Sequence, residues 1–279
     1  MSRLDLIVGD NREWLSLLPA DYFHTCVTSP PYFGLRDYGV AGQTGREGTA
    51  DAFVETLVAV FDQVRRVLRP DGTLWLNLGD SYANKQRLMI PARVALALQT
   101  AGWVLRDEIV WHKPRTTPAP VKDRTVAAHE MVYLFSRQPN YAFDYLAIEE
   151  PATHAGVTRK AGKAFRDLAI SGPNAARKRP GADREIVVRD TRRKRSVWSV
   201  SPSPYKDAHF ATFPPALIEP MILAGAPQGG FVLDPFGGAG TTGVVAARLG
   251  RNATLIEMNP AYADIARRRI ALDASANLA

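Results

Sequence analysis

The chain has 279 residues, 46% of them hydrophobic, and a net charge of +7. That length suits one large α/β domain with a substantial core; no apolar run is long enough to span a membrane, and a single cysteine, Cys26, excludes an internal disulfide framework and a cysteine-rich metal site. The charge is concentrated: residues 151–200 carry 13 Lys and Arg against 4 Asp and Glu, a local +9, while the rest of the chain sums to −2, which points to a polyanion docking on one stretch. Met1-Ser2-Arg3-Leu4-Asp5 lacks the basic and apolar segments of a signal peptide, so a cytoplasmic protein that needs no metal is expected.

Leu4 to Val8 reads as a strand ended by Gly9-Asp10, and Asn11 as the cap of a helix carrying Trp14, Leu15, Leu17 and Leu18. Tyr22 to Val27 reads as a buried strand that stops at Thr28-Ser29-Pro30-Pro31-Tyr32. Two successive prolines fix two φ angles and remove two donors, so the strand gives way to a stiff loop displaying a hydroxyl, a carbonyl and a flat ring. Residues 34–50, with five glycines and no apolar period, read as a mobile loop.

Apolar residues at three- and four-residue steps from Phe53 to Leu68 predict a helix capped by Asp51. Pro70-Asp71-Gly72 predicts a turn before a strand over 73–78. A helix over 91–101, strands over 103–111 and 130–136, and a hairpin arm near Tyr141-Ala142-Phe143 follow. From Glu150 to about Ser196 periodicity vanishes, and Trp198 marks its return. A helix over 216–224, a strand over 231–233, a helix over 242–249, a strand over 253–256 and a helix over 260–274 complete the chain. Alternating strands and helices imply a mainly parallel sheet covered on both faces, with ligands at the carboxyl ends of strands. Gly9-Asp10, Thr28 to Tyr32, Asp234 to Thr242 and Glu257 all fall at such ends.

Asp234-Pro235-Phe236-Gly237-Gly238-Ala239-Gly240-Thr241-Thr242 joins a strand to a helix, and Glu257 ends the next strand. A glycine-rich turn lets a ligand approach the backbone, and an acidic residue at that distance can accept from both hydroxyls of a ribose. The G-x-G-x-x-G spacing of dinucleotide sites is missing, and Asp234 at the mouth would repel a pyrophosphate but attract an amino group. An adenosine joined to a cationic amino acid fits better, which is S-adenosylmethionine. Asp10 is a further candidate, for the adenine amino group.

Thr28-Ser29-Pro30-Pro31-Tyr32 resembles the catalytic S/D/N-P-P-Y/F/W motif of amino DNA methyltransferases, and Phe236 to Thr242 resembles their F-x-G-x-G-T cofactor motif. The catalytic motif precedes a basic region and then the cofactor motif, an order similar to the beta class of that family. The resemblance implies a doubly wound, mostly parallel, seven-stranded Rossmann-like sheet in permuted order. Residues 1–150 would form the catalytic half, 151–196 a basic target-recognition insert and 197–279 the cofactor half. It also implies that Asp234 meets the methionine amino group, that Pro235, Phe236, Gly237, Gly238, Gly240, Thr241 and Thr242 line the cofactor, that Glu257 holds the ribose with Asp10 and Met258 at the adenine, and that Phe213 lies at the methionine end.

An exocyclic base amine is a poor nucleophile because its lone pair is delocalised into the ring. Ser29 Oγ and the Pro30 carbonyl are candidates to accept its N–H groups, with Pro31 stiffening the loop and Tyr32 stacking on a base flipped out of the duplex. Serine at position 29 resembles the cytosine-N4 group, with adenine N6 as the alternative and a non-catalytic DNA-binding protein as the remoter one. Cys26, inside an apolar strand, reads as core packing rather than as the nucleophile of a C5-cytosine enzyme. Arg177, Lys178, Arg179, Arg192, Arg193, Lys194 and Arg195 are the candidate contacts to double-stranded DNA. The family resemblance leaves a companion restriction endonuclease, and a monomer or homodimer, as open partner classes.

Overall fold

The computed structural model describes residues 2–116, 120–160, 185–187, 189–202 and 213–276. The chain divides into two units, one of Met1–Asp144 with Arg195–Ala279 and one of Tyr145–Lys194.

Besides a short ribbon of Tyr82–Ala83 with Gln86–Arg87, the described residues of the larger unit form one eight-stranded sheet and six helices: β1 (Leu4–Val8), α1 (Asn11–Leu17), β2 (Phe23–Thr28), α2 (Ala50–Val67), β3 (Leu68–Leu78), α3 (Ile90–Thr100), β4 (Val104–His112), β5 (His129–Ser136), β6 (Val197–Ser199), α4 (Pro215–Gly225), β7 (Phe231–Asp234), α5 (Thr241–Arg248), β8 (Asn252–Glu257) and α6 (Pro260–Ala276). The strands lie in the order β1-β8-β7-β2-β3-β5-β4-β6. The run from β1 to β3 is parallel, β5 is antiparallel to both its neighbours, and β6 is parallel to β4. This is the expected doubly wound α/β class with one strand more than the expected seven, the short β6 that buries Trp198 beside β4.

The pleat of β3 shows how the two layers arise. Leu74, Leu76 and Leu78 point into a core with Phe53, Leu57, Phe61 and Val64 of α2 and Val94 and Leu98 of α3. Thr73, on the opposite face, meets Thr25 of β2 (Oγ1 to Oγ1 2.9 Å) under the end of α4. Helices α1, α2 and α3 pack in series on the first face, and α4, α5 and α6 pack in series with one another. The helix after β2 therefore covers one face while the helix after its neighbour β7 belongs to the other series. Such a reversal between adjacent parallel strands opens a crevice at their carboxyl ends.

Several element ends differ from the sequence expectations. Asp10, not Asn11, caps α1, accepting from the Arg12 N–H at 2.9 Å, and of the four apolar residues assigned to that helix Trp14 and Leu17 are exposed. Thr49, not Asp51, caps α2, accepting from Ala52 at 3.1 Å. Pro70-Asp71-Gly72 does not interrupt β3; it is absorbed as an irregularity between the Leu68 and Thr73 pairings with β2. Tyr141 to Phe143 form no hairpin arm, and Phe143 instead stacks on Trp75 with ring centroids 6.1 Å apart. Loop 34–48, expected to be free, is stitched by Gly34 N–H to Gly45 O (2.9 Å) and by Gln43, which bonds the backbone of both Tyr38 and Arg36.

In the smaller unit the described residues form a 3-10 turn, Leu146–Ile148, and two antiparallel ribbons, Glu150–Pro151 with Thr191–Arg192 and Thr158–Lys160 with Glu185–Val187.

Gly225 fixes how closely α4 sits on the sheet. A Cβ there would stand 2.6 Å from Thr25 Oγ1 and 2.8 Å from Thr73 Oγ1, and both threonines are fully buried and bonded to each other. Gly225→Ala gains about 1 kcal/mol of helix propensity, yet the clash should outweigh it. A net destabilisation of about 1–3 kcal/mol is expected in denaturant titration, and an unchanged midpoint would show that α4 shifts freely.

Candidate active site

The crevice is organised around Asp234 at the end of β7, which is 1% exposed. Its Oδ1 accepts from Thr28 Oγ1 (2.7 Å) and from the Phe236 N–H (3.1 Å), and its Oδ2 from Thr242 Oγ1 (2.6 Å). Thr242 also reaches the Val27 carbonyl at 3.4 Å. One carboxyl thus joins the first residue of the proline motif to the glycine-rich turn, across 206 positions of sequence. Burial pushes the Asp234 carboxyl above its ordinary pKa, while its three donors pull the other way.

The turn after β7 is anchored from three sides. Gly237 N–H donates to Ile256 O (2.8 Å), Asn11 Nδ2 to Pro235 O (3.0 Å), and Arg269 of α6 to Thr241 Oγ1 (2.8 Å). Glu257 closes the next strand end, with Oε2 accepting from Gly238 N–H (2.7 Å) and Oε1 from Asn259 N–H (2.8 Å). Burial raises its pKa as well.

Of the predicted residues, Asp10, Ser29, Pro31, Phe213, Asp234, Pro235, Phe236, Gly237, Gly238, Thr241, Glu257 and Met258 line one pocket at this edge. Gly240 and Thr242 stand behind it, as the cap residue of α5 and as a buried support of Asp234. The Asp10 carboxylate is already engaged, capping α1 and forming an ion pair with Arg12 that lowers its pKa. Pro30 is buried. Cys26 is fully buried, and burial raises its thiol pKa, so it is a core residue.

Tyr32 lies outside the pocket lining, on a polar network beside it. Its hydroxyl donates to Glu130 Oε2 at 2.6 Å, and its ring rests where a side chain on Gly79 would collide at 2.4 Å. Burial, then the Glu130 charge, raises the Tyr32 pKa. Asn77 donates to Met131 O (3.1 Å) and Glu130 Oε2 (3.3 Å), Ser29 Oγ lies 3.3 Å from Asn77 Oδ1, and Lys113 forms an ion pair with Glu130.

Sequence reading missed this network, along with Arg36, Tyr38, Gln43 and Tyr262 in the pocket wall. Arg36 and Tyr38 follow the proline motif within six residues of Tyr32, which was the available signal; the glycines around them hid it. Asp80 accepts from the Ile90 N–H at 2.9 Å, at the start of α3.

In the smaller unit Arg192 pairs with Glu150 (2.9 Å) and Arg193 lies 4.7 Å over the Tyr145 ring. Arg177, Lys178 and Arg179 lie outside the described residues. Among the described residues no helix is long and apolar enough to cross a membrane, and no group of three or more His, Cys, Asp or Glu could hold a metal ion.

A family model described as DNA methylase matches residues 23–268. The type II methyltransferase M.SmaI of Serratia marcescens is 39% identical over 294 residues, covering 95% of this chain and 90% of that protein. Among solved structures, PvuII DNA methyltransferase, described as cytosine-N4-specific, aligns with a TM-score of 0.71 at 22% identity over 96% of this chain and 86% of its own, a likeness of fold. TTHA0409 of Thermus thermophilus, solved in complex with S-adenosyl-L-methionine, aligns with a TM-score of 0.63 at 27% identity over 97% of this chain and 95% of its own. With a family model spanning β2 to α6 and a relative matched along nearly its whole length, this chain belongs to the N6/N4 DNA methylase family, enzymes whose methyl donor is S-adenosylmethionine.

Proposed function

We propose that the protein is a site-specific DNA methyltransferase that transfers the methyl group to the exocyclic N4 amine of a cytosine flipped out of duplex DNA. The observation that carries this reading is Ser29: the proline motif holds serine there, on the pocket wall, beside the carboxyl that links it to the glycine-rich turn. The M.SmaI relative, named a type II methyltransferase, supports action at a defined sequence, and DNA as substrate puts the protein in the cytoplasm.

The pocket suits S-adenosylmethionine by its donor set. A carboxylate offers about four acceptor directions; Asp234 uses three, leaving one for an ammonium. Each Glu257 oxygen already takes one backbone N–H and keeps a lone pair for a ribose hydroxyl. Met258 and Phe213 supply apolar wall. Asp10, committed to Arg12, contributes at the adenine end mainly by holding α1 in place.

When bound, the cofactor supplies a sulfonium methyl. Ser29 Oγ and the Pro30 carbonyl accept hydrogen bonds from the two amine N–H groups and turn the nitrogen lone pair toward the methyl; one of the two protons leaves to solvent once the N–C bond has formed. The successive prolines keep those acceptors in place before substrate arrives. Tyr32, backed by Gly79, offers a ring for the base, which must first leave the stack at a cost of a few kcal/mol. The smaller unit, with its local positive charge, takes the duplex backbone.

Incubation with labelled cofactor and unmethylated duplex DNA, followed by digestion to nucleosides, is expected to place the label in N4-methylcytosine. Label in N6-methyladenine would assign the other base, and unlabelled DNA would leave only a binding protein.

Both Asp234 and Glu257 are pushed upward in pKa by burial. Because the ionised forms bind, cofactor affinity should hold at neutral pH and fall with acidification, beginning above the range of an exposed carboxylate. Glu257→Gln should weaken cofactor binding by about ten-fold and remove part of that acidic limb in calorimetric titrations; an unaltered profile would take Glu257 out of the site.

Replacing Arg193, Lys194 and Arg195 by Gln is expected to weaken DNA binding and lower the slope of log affinity against log salt by about 1 for each phosphate no longer neutralised. Arg192 is left intact because it pairs with Glu150 inside its own unit. Equal slopes for variant and parent would remove this stretch from the DNA interface.

A further inference from the structure

We propose that Glu130 is a positioning residue for methyl transfer: held by Lys113, it draws off the Tyr32 proton and, with the Met131 carbonyl, fixes the Asn77 amide, and thereby turns the lone pairs of Ser29 toward the target amine. This rests on the reading of Ser29 as the acceptor of that amine and adds what makes it one.

The inference follows from which groups can only donate and which can only accept. An ammonium has donors alone, and an ionised carboxylate has acceptors alone. Lys113 occupies Glu130 Oε1. Glu130 Oε2 receives the Tyr32 hydroxyl at 2.6 Å and Asn77 Nδ2 at 3.3 Å. Asn77 Nδ2 also donates to the Met131 carbonyl at 3.1 Å. Both partners of that amide nitrogen are pure acceptors, so the amide has one orientation and its Oδ1 faces Ser29 and Tyr32 at 3.3 and 3.2 Å.

The single Tyr32 proton is drawn to the charged and nearer Glu130. The inward neighbours of Ser29 Oγ are then Asn77 Oδ1 and, at 3.5 Å, a Tyr32 oxygen whose own proton points away. Whichever of the two it chooses, the serine proton goes inward and the lone pairs go out to the pocket that Ser29 lines. An unconstrained hydroxyl would spend part of its time with its proton pointing outward, offering a donor to an amine that has to donate. A neutral acceptor needs such a constraint, whereas a carboxylate at position 29 would accept in any rotamer.

Glu130→Gln tests the direction of the chain. The new amide keeps its oxygen on Lys113 and puts an NH2 where Oε2 stood, facing Tyr32 and Asn77. The Met131 carbonyl still holds Asn77 Nδ2, so two amide donors face each other; the Tyr32 hydroxyl, now opposite a donor, turns its proton to Asn77 Oδ1, competes there with Ser29, and frees the serine proton to point outward. With PCR-amplified genomic DNA and labelled cofactor, kcat should fall about ten-fold or more while KM for the cofactor stays within about two-fold. In the double variant Asn77→Asp with Glu130→Gln, one carboxylate oxygen accepts from the new amide, although it now also faces the Met131 carbonyl, and the other accepts from both Tyr32 and Ser29. Part of the lost kcat should return.

A Glu130→Gln enzyme with parental kcat, or a double variant no faster than it, overturns the proposal. Ser29→Ala separates the two layers: if it keeps full kcat, the reading of Ser29 itself is wrong, whereas a slow Ser29→Ala beside a normal Glu130→Gln sinks only the role of Glu130. Cofactor binding and thermal melting report whether each variant folds. Should Glu130→Gln not fold, Asn77→Leu, which removes the inward acceptor, is expected to reproduce the kcat loss at constant KM, and parental kcat there would equally overturn the proposal.

Discussion

The buried carboxyl of Asp234 is the point on which the rest of the site depends. Withdrawing an ionised group from water costs several kcal/mol unless its lone pairs are met. Here they are met by two threonine hydroxyls and one backbone N–H. Thr28 is the last residue of the strand that leads into the proline motif, and Thr242 lies in the first turn of the helix after the glycine-rich loop. Satisfying the charge therefore ties together, beyond the parallel pairing of β2 with β7, the two loops that leave those strands. The same arrangement leaves the carboxyl one donor short, which makes the crevice receptive to a cation.

The two sides of the site are built by different means. On the glycine-rich side the chain presents backbone: Gly238 and Asn259 amides orient Glu257, and the turn is pinned by Asn11 and Arg269 from neighbouring elements. On the proline side it presents side chains whose proton positions have to be specified, and a chain from Lys113 through Glu130 to Asn77 surrounds Ser29 and Tyr32. A backbone amide cannot reverse its polarity, but a hydroxyl can. That difference explains why the proline side carries a charged pair and a buried amide where the other side manages with a turn.

The strand-end motifs were legible in the sequence because each is local: a run of apolar residues stopped by two prolines, a glycine-rich turn between a strand and a helix, an acidic residue at the next strand end. The helices over 50–67 and 90–100 were legible for the same reason, with errors of one or two residues at their ends; in the first, Thr49 supplies the cap rather than Asp51. The network around Ser29 was not. Asn77, Lys113 and Glu130 come from three strands or strand ends, and Glu130 meets Asn77 only because β5 runs antiparallel to β3, pairing Asn77 with Val132. Nothing in a single sequence sets that register. Pro70-Asp71-Gly72 misled for the opposite reason: its local turn chemistry is overridden by the pairing of β3 with β2 on either side of it.

The permuted order of the motifs costs the crevice around Asp234 and Glu257 nothing, because that crevice needs only the spatial sequence β1-β8-β7-β2. Those four strands come from the two ends of the chain, β1 and β2 from the first 28 residues and β7 and β8 from beyond residue 230. They are locked by parallel pairing and by Asp234. Of the chain between them, only the basic unit Tyr145–Lys194 leaves the larger unit, after residue 144, and it returns at residue 195. Loop closure adds only about 0.6 kcal/mol for each doubling of a connection. The segment there can therefore be lengthened or replaced without disturbing the hydrogen bonds around Asp234.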